Sequence, residues 1–249
     1  MITNNQIKFV KSLHQNKFRQ KYNNFFVEGD KIAQDILKNS LCNILNIFVT
    51  PKWHSNNMHL LHRFSNIITI VSDNNMKKIS ALTSSSPVLI VLTKQSEIVD
   101  YTVFNNGNVI FLDGVQDPGN VGTIIRIADW FGIKTVVRSA ASADFYHPKV
   151  MQSTMGSFLN VTMYTSAYYD LEITQHKTIG AIMNGDSINE FIWPQKSLIV
   201  MGNESKGIGE SVAEKLDFRI TISGAHDRIA DSLNVAMAAG IIISTMTKV

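Results

Sequence analysis

One cysteine in 249 residues, Cys42, leaves no partner for an internal disulfide and no thiol set for a structural metal site. Charge is sparse as well, and a net +3 is too small for a wholly polyanion-coating chain. Only five prolines are present and no low-complexity run occurs, while 45% of the residues are hydrophobic, which excludes a fibrous or disordered chain. No apolar run approaches the ~18 residues of a membrane span. The start, Met1–Lys8, lacks the apolar core of a signal peptide. Seven scattered histidines form no H-E-x-x-H or Cys/His set, and G-x-S-x-G is missing, so neither a metal nor a hydrolase elbow is expected. A soluble, cytoplasmic protein of one large or two modest domains is the expectation.

What charge there is lies unevenly. Residues 1–100 hold 12 Lys/Arg against 6 Asp/Glu, and residues 101–249 hold 11 against 14, so the halves carry +6 and −3. Lys8, Lys11, Lys17, Arg19 and Lys21 come before any acid. A basic front joined to a mildly acidic body suggests a polyanion-binding module, or else an ordinary solvated face.

Hydrophobic patterning gives two alternations of strand and helix. The first places strands at 25–28, 44–50, 67–71 and 88–93, with helices at 30–38, 53–64 and 74–82. A polar stretch over 94–108 reads as a boundary, giving domains of 1–98 and 106–249. The second places strands at 109–112, 135–138, 161–164, 178–183, 198–201 and 218–222. Its helices are at 121–131, 148–155, 209–215 and 233–245. This is an α/β chain with a mainly parallel sheet, so ligands belong beyond the carboxyl ends of the strands.

Three strand-to-helix loops carry chemistry. In Asp113-Gly-Val-Gln-Asp-Pro-Gly-Asn120, Asn120 can cap the following helix, and Arg126 lies on another face from the buried Val121, Ile124 and Ile125. The bland alternative is a surface Arg126 paired with Asp129. Val200-Met-Gly-Asn-Glu-Ser-Lys-Gly-Ile-Gly209 has the glycine density of backbone wrapped round a ligand, but fits neither a P-loop nor G-x-G-x-x-G. Its Glu204 can accept loop N–H groups or serve as a cap. In Asp231-Ser-Leu-Asn-Val-Ala-Met-Ala-Ala-Gly240, Ser232 and Asn234 stand at the mouth of a small-residue helix, where a plain cap is the alternative. Asp113 and Asp117 read as turn-formers.

Together the three loops resemble, in order and spacing, the motifs of SpoU-type (TrmH-like) RNA methyltransferases of the SPOUT superfamily. The likeness spans residues 107–247. Ser142-Ala-Asp-Phe-Tyr-His-Pro-Lys149 resembles the segment between motifs one and two, and Phe26-Val-Glu-Gly29 with Pro87–Leu92 resembles the family's N-terminal RNA-binding domain. The resemblance implies a trefoil-knotted methyltransferase domain behind a smaller α/β RNA-binding domain. It further implies methyl transfer from S-adenosylmethionine to a ribose 2′-hydroxyl of structured rRNA or tRNA, a homodimer, and no metal or membrane. A catalytically silent RNA binder of the same fold and an ordinary nucleotide-cofactor enzyme are the alternatives.

By the same resemblance Asn120, Arg126, Glu204, Ser232 and Asn234 form the catalytic set, with Arg126 as the base or an orienting cation. Met201, Gly202, Ile222 and Leu233 line the cofactor pocket. Two departures stand out: Ser205 replaces the usual glycine or alanine after Glu204, and Ser223–Asp231 is two residues longer than usual.

Overall fold

The computed structural model describes residues 2–38, 42–95, 107–171 and 175–247. Most of the expected boundary stretch, 96–106, therefore lies outside the described residues. In chain order the first elements are α1 (Asn4–Ser12), α2 (Asn16–Tyr22), β1 (Asn24–Glu28), α3 (Asp30–Lys38), β2 (Ile44–Val49), α4 (Pro51–Asn56) and α5 (Met58–Leu61). Then come β3 (Ile68–Ile70), α6 (Asp73–Ile79), β4 (Val88–Thr93), β5 (Val109–Asp113), α7 (Pro118–Trp130), β6 (Thr135–Arg138), α8 (Pro148–Ser153) and β7 (Thr162–Thr165). The last are β8 (Lys177–Ser187), β9 (Ser197–Gly202), α9 (Glu210–Ala213), β10 (Phe218–Thr221) and α10 (Val235–Met246). The chain divides into two compact units: Met1–Gln95 with Tyr146–Leu159, and Ser96–Phe145 with Asn160–Val249.

The first unit holds a four-stranded sheet in the order β1-β4-β2-β3. Strand–helix alternation suggests parallel pairing, yet β4 inserts between β1 and β2 and runs antiparallel to both. The reason is in its sequence: Val88–Leu92 is apolar at every position and fully buried, which suits a central strand covered on both faces. Val10, Leu13, Phe26, Phe48, Met76 and Leu89 fill the core beneath it. The basic amino-terminal segment, to which the apolar pattern assigned no element, folds as α1 and α2. Its signal is the capping box at Thr3 and Gln6, whose side chain and backbone groups bond reciprocally. Arg19, one of the five leading basic residues, is buried and donates to the carbonyls of Leu13 and His14 at 2.8 and 2.9 Å. It braces the α1–α2 corner and faces no solvent.

The helix expected over 53–64 breaks instead at Asn57 into α4, α5 and a 3₁₀ turn. The Asn57 side-chain amide and backbone N–H both donate to the Trp53 carbonyl, at 2.9 and 3.1 Å, and so close α4 at this residue.

The second unit is a six-stranded sheet, β10-β8-β9-β5-β6-β7, with every pairing parallel. Residues Val109–Leu112 at its centre are at most 1% exposed, as a sheet covered on both faces requires. β8 runs on to Ser187, well past the expected 183. Its polar end, Asn184-Gly-Asp-Ser187, lies beyond the expected strand but is held by β10 after a register shift at Arg219/Ile220. A Cβ at Gly185 would stand 2.5 Å from the Ile220 nitrogen, so only glycine permits that approach. α7 and α10 pack together, and a Cβ at Gly240 would lie 3.5 Å from Ile127.

Candidate active site

At the carboxyl ends of β5 and β9, three loops of the second unit meet. α7 begins at Pro118, three residues earlier than the pattern suggests, because Asp117 is the N-cap and accepts the Asn120 N–H at 3.0 Å. Asn120 is therefore not the cap: Asp-Pro supplies a capping carboxylate and a pre-set first helical residue, and Asn120 moves into the first turn. Its side chain is freed to face the other loops.

The second loop folds back on its strand. Asn203 and Gly207 exchange backbone hydrogen bonds at 2.9 Å, and the Asn203 side chain accepts the N–H groups of Ser205 and Lys206. The Asn203 amide also donates to the Gly114 carbonyl at 2.7 Å, and Asp113 accepts the Gly209 N–H at 2.8 Å. This double pinning joins the first loop to the second. Gly202 is required by it, since a Cβ there would meet the Gly207 carbon and Ile208 nitrogen at 2.4 Å. Gly207, at φ +71°, sits where L side chains are strained. Sequence reading passed over Asn203; its signal is an Asn two residues before a glycine-rich turn, the pattern of an Asx turn.

The three loops are then joined by side chains. The Asn120 amide donates to Glu204 Oε1 at 2.9 Å, and the Asn234 amide donates to Asn120 Oδ1 at 2.9 Å. Asn234 Oδ1 in turn caps α10, accepting the N–H groups of Ala236 and Met237 at 3.0 and 3.2 Å. A carboxylate can only accept, so each amide in this chain has one permitted orientation. The polarity runs from the N–H groups of α10 to the Glu204 carboxylate.

Arg126 and Ser232 are not drawn into this chain. Arg126 is exposed on α7, and among the described residues its guanidinium makes neither a hydrogen bond nor an ion pair, the Asp129 pairing included. Ser232 is exposed two residues before Asn234 and makes no side-chain hydrogen bond among the described residues. Of the residues expected to line the cofactor pocket, Met201 is buried and offers only its backbone. Ile222 is half-buried, and Leu233 is 52% exposed, at either end of the wholly exposed stretch Ser223–Ser232. Pinned loop backbone beside under-buried apolar side chains fits an adenosyl group, which needs both hydrogen bonds and apolar cover. Within residues 223–231, Arg228 donates to the Ala225 carbonyl at 3.0 Å.

A second polar cluster closes the opposite end of the sheet. Asp217 accepts from the Thr178 N–H and hydroxyl at 2.8 Å each, and from Lys177 Nζ at 2.9 Å. Partial burial pushes its carboxyl up, but the Thr178 and Lys177 bonds outweigh that and hold it below its ordinary 3.8. Among the described residues no three His, Cys, Asp or Glu side chains converge on a metal-sized site, and no helix is long and apolar enough to cross a membrane.

Comparison with known proteins agrees with this geometry. Residues 107–244 match the SpoU rRNA Methylase family, and residues 4–89 match the MRM3-like substrate binding domain. The chain is 28% identical over 250 residues to the 23S rRNA (guanosine(2553)-2′-O)-methyltransferase RlmP of Bacillus subtilis, covering 96% of this chain and 95% of that protein. A TrmH-family protein from Porphyromonas gingivalis is 32% identical with a TM-score of 0.80, covering 99% of this chain and 98% of that one. The SpoU methyltransferase AviRb from Streptomyces viridochromogenes, solved with AdoMet, is 20% identical; it shares the fold, with a TM-score of 0.84 over 99% of this chain and 98% of its own. With its family match spanning more than half its length, this chain belongs to the SpoU rRNA methylase family.

Proposed function

We propose that this chain methylates a ribose 2′-hydroxyl of large-subunit rRNA in the cytoplasm, using Asn120, Arg126, Glu204, Ser232 and Asn234. The observation that carries these roles is the Glu204–Asn120–Asn234 hydrogen-bonded chain, beside an Arg126 whose guanidinium is left for a ligand. The substrate class follows that of the Bacillus subtilis relative, a 23S rRNA 2′-O-methyltransferase.

S-adenosylmethionine supplies a methyl group already activated on a sulfonium, so the protein must align a weak nucleophile and handle one proton. Met201 and Gly202 offer backbone, and Ile222 and Leu233 apolar surface, to hold it. Asn120 keeps the three loops in one register, so that the ribose meets a fixed wall; such alignment contributes several kcal/mol to lowering a barrier. Ser232 hydrogen-bonds the ribose. Arg126 either orients the reacting hydroxyl through its guanidinium N–H groups while paired with the nucleotide's phosphate, whose oxygen then takes the proton, or acts as the base from its neutral form.

We also read the protein as a homodimer. Trp130, Met237 and Ile241 are 81%, 63% and 37% exposed, an apolar surface on α7 and α10 that suits a second copy. Purified protein incubated with labelled S-adenosylmethionine and total RNA tests the activity, and 2′-O-methyl mapping of a deletion strain tests the substrate. Label in no RNA overturns the proposal; label confined to tRNA overturns the rRNA assignment.

A further inference from the structure

The two sequence segments that the active site leaves unused line one cavity. Phe26, Val27 and Glu28 come from the Phe26–Gly29 segment, and His147, Pro148 and Lys149 from the Ser142–Lys149 segment. These six residues all belong to the first compact unit, as do the remaining walls, which include His14, Leu82, Thr83 and Gln152. The cavity measures about 520 Å³, within the ~300–1,000 Å³ of small-ligand pockets.

We propose that this cavity receives one unstacked guanine base of the RNA substrate, read by the Glu28 carboxylate. The inference rests on the chain being an RNA methyltransferase, and adds a base-reading subsite to its substrate-binding unit. Glu28 is 8% exposed, an unusual depth for a carboxylate that forms no ion pair among the described residues. It is held rigidly: Oε2 accepts the Ser80 hydroxyl at 2.5 Å and Oε1 accepts the Ala81 N–H at 2.8 Å. An ionised carboxylate offers about four acceptor sites, so two remain for a ligand donor.

Among the four RNA bases, guanine alone presents two adjacent donors, N1–H and the N2 amine, on its pairing edge. That geometry matches a fixed carboxylate bidentately. Uracil offers one ring N–H, and adenine and cytosine one amine each. The other walls suit a base and its backbone. His14 donates through Nε2 to the Ile79 carbonyl at 3.1 Å, which fixes its ring, and it packs on Phe26 at 4.9 Å between centroids. A fixed aromatic face is what an unstacked base needs, and single-stranded bases are the usual target of sequence-specific RNA recognition. Lys149 is exposed at the wall and supplies a cation for a phosphate.

The test is binding of the full-length chain to hexauridylates carrying one guanosine, inosine or adenosine, read by fluorescence anisotropy without S-adenosylmethionine. Inosine lacks only the N2 amine. The guanosine oligomer should bind at least about fivefold tighter than the other two, the lower end for a bidentate contact. Glu28→Gln should erase that preference. Because Glu28 also braces Ser80 and Ala81, Gln152→Trp serves as a second variant: it fills the cavity from an exposed helix position and should erase the preference with no change in Tm. Lys149→Ala should weaken all three oligomers alike. Equal affinity for guanosine and inosine in the unaltered chain, or a preference that survives Gln152→Trp, overturns the proposal. Methyl transfer to RNA is measured separately, so failure of the guanine subsite and failure of the methyltransferase reading give different results.

Discussion

The two ends of the parallel sheet carry polar clusters of similar size and opposite character. At the amino end, Asp217 accepts three bonds from Thr178 and Lys177, and each group's partner is another group of the protein. At the carboxyl end, Asn120 links Glu204 to Asn234, but the cluster stops at an exposed carboxylate, with Arg126 unengaged nearby on α7. A cluster that completes itself stabilises; one that ends in exposed charged groups leaves room for a ligand. The contrast matches the general placement of ligands beyond the carboxyl ends of parallel strands. Substitutions at one end should therefore move activity without stability, and at the other end stability without activity.

Arg126→Ala should give the largest effect. Turnover falls at least ~100-fold, the lower end for a lost acid–base group, while Tm and S-adenosylmethionine affinity stay near those of the unaltered chain. Single-turnover methylation at saturating RNA, beside calorimetric titration of the cofactor, measures both. Turnover within threefold of the original would remove Arg126 from the reaction.

Asn120→Ala comes next. It cuts the Glu204–Asn234 link but leaves the Asp117 cap of α7 intact, because that bond uses the Asn120 backbone N–H. Loss of alignment should lower turnover by ~10–100-fold, and Asn234 still caps α10, so helix content is unchanged. A loss confined to KM for RNA, with unaltered turnover, would show that the link serves binding and not alignment of the reacting groups.

How far the sequence discloses these arrangements depends on where the information resides. Glycine and proline placement exposes the loops, and strand periodicity exposes the parallel sheet, since both are local signals. The Asn120–Glu204 and Asn120–Asn234 bonds join residues 84 and 114 positions apart, and no local pattern encodes them. The resemblance to a family brings those residues together; the physics of each segment alone leaves Asn120 as a cap, a role that Asp117 takes. The antiparallel insertion of β4 is hidden for the same reason: burial on both faces is legible in Val88–Leu92, but its neighbours are not. Arg19 shows the limit of charge counting. It adds to the basic front in sequence, yet two backbone carbonyls occupy it.

That distinction between engaged and free cations extends to the first unit. Lys8, Lys11, Lys17 and Lys21 are exposed and form no ion pair among the described residues. Lys17 lies over the Phe18 ring at 4.9 Å and Lys21 over Tyr22 at 5.5 Å, so part of the face joins cations to aromatic surface. Replacing all four by Ala should weaken RNA binding and flatten its salt dependence, by ~0.7–0.9 in log K per log salt for each lysine that meets a phosphate. Arg19→Ala should instead lower Tm. An unchanged salt slope in the fourfold variant would make this segment a solvated face.

The smallest effect belongs to the completed cluster. Asp217→Asn removes a carboxylate that the folded state prefers ionised, and the cost should be of order 1 kcal/mol or less, because the pair with Lys177 is well exposed to solvent. The pH dependence has a definite sign. The folded carboxyl lies below its unfolded value of 3.8, so its contribution is complete above that pH and is lost as pH falls through the folded value. The Tm difference between the original and Asp217→Asn should thus be constant from pH 7 to about pH 5 and close as the solution is taken toward pH 3. Turnover at pH 7 should not change. A Tm difference that persists undiminished at pH 3, or a loss of activity from this substitution, would dissolve the division between a stabilising end and a reacting end of the sheet.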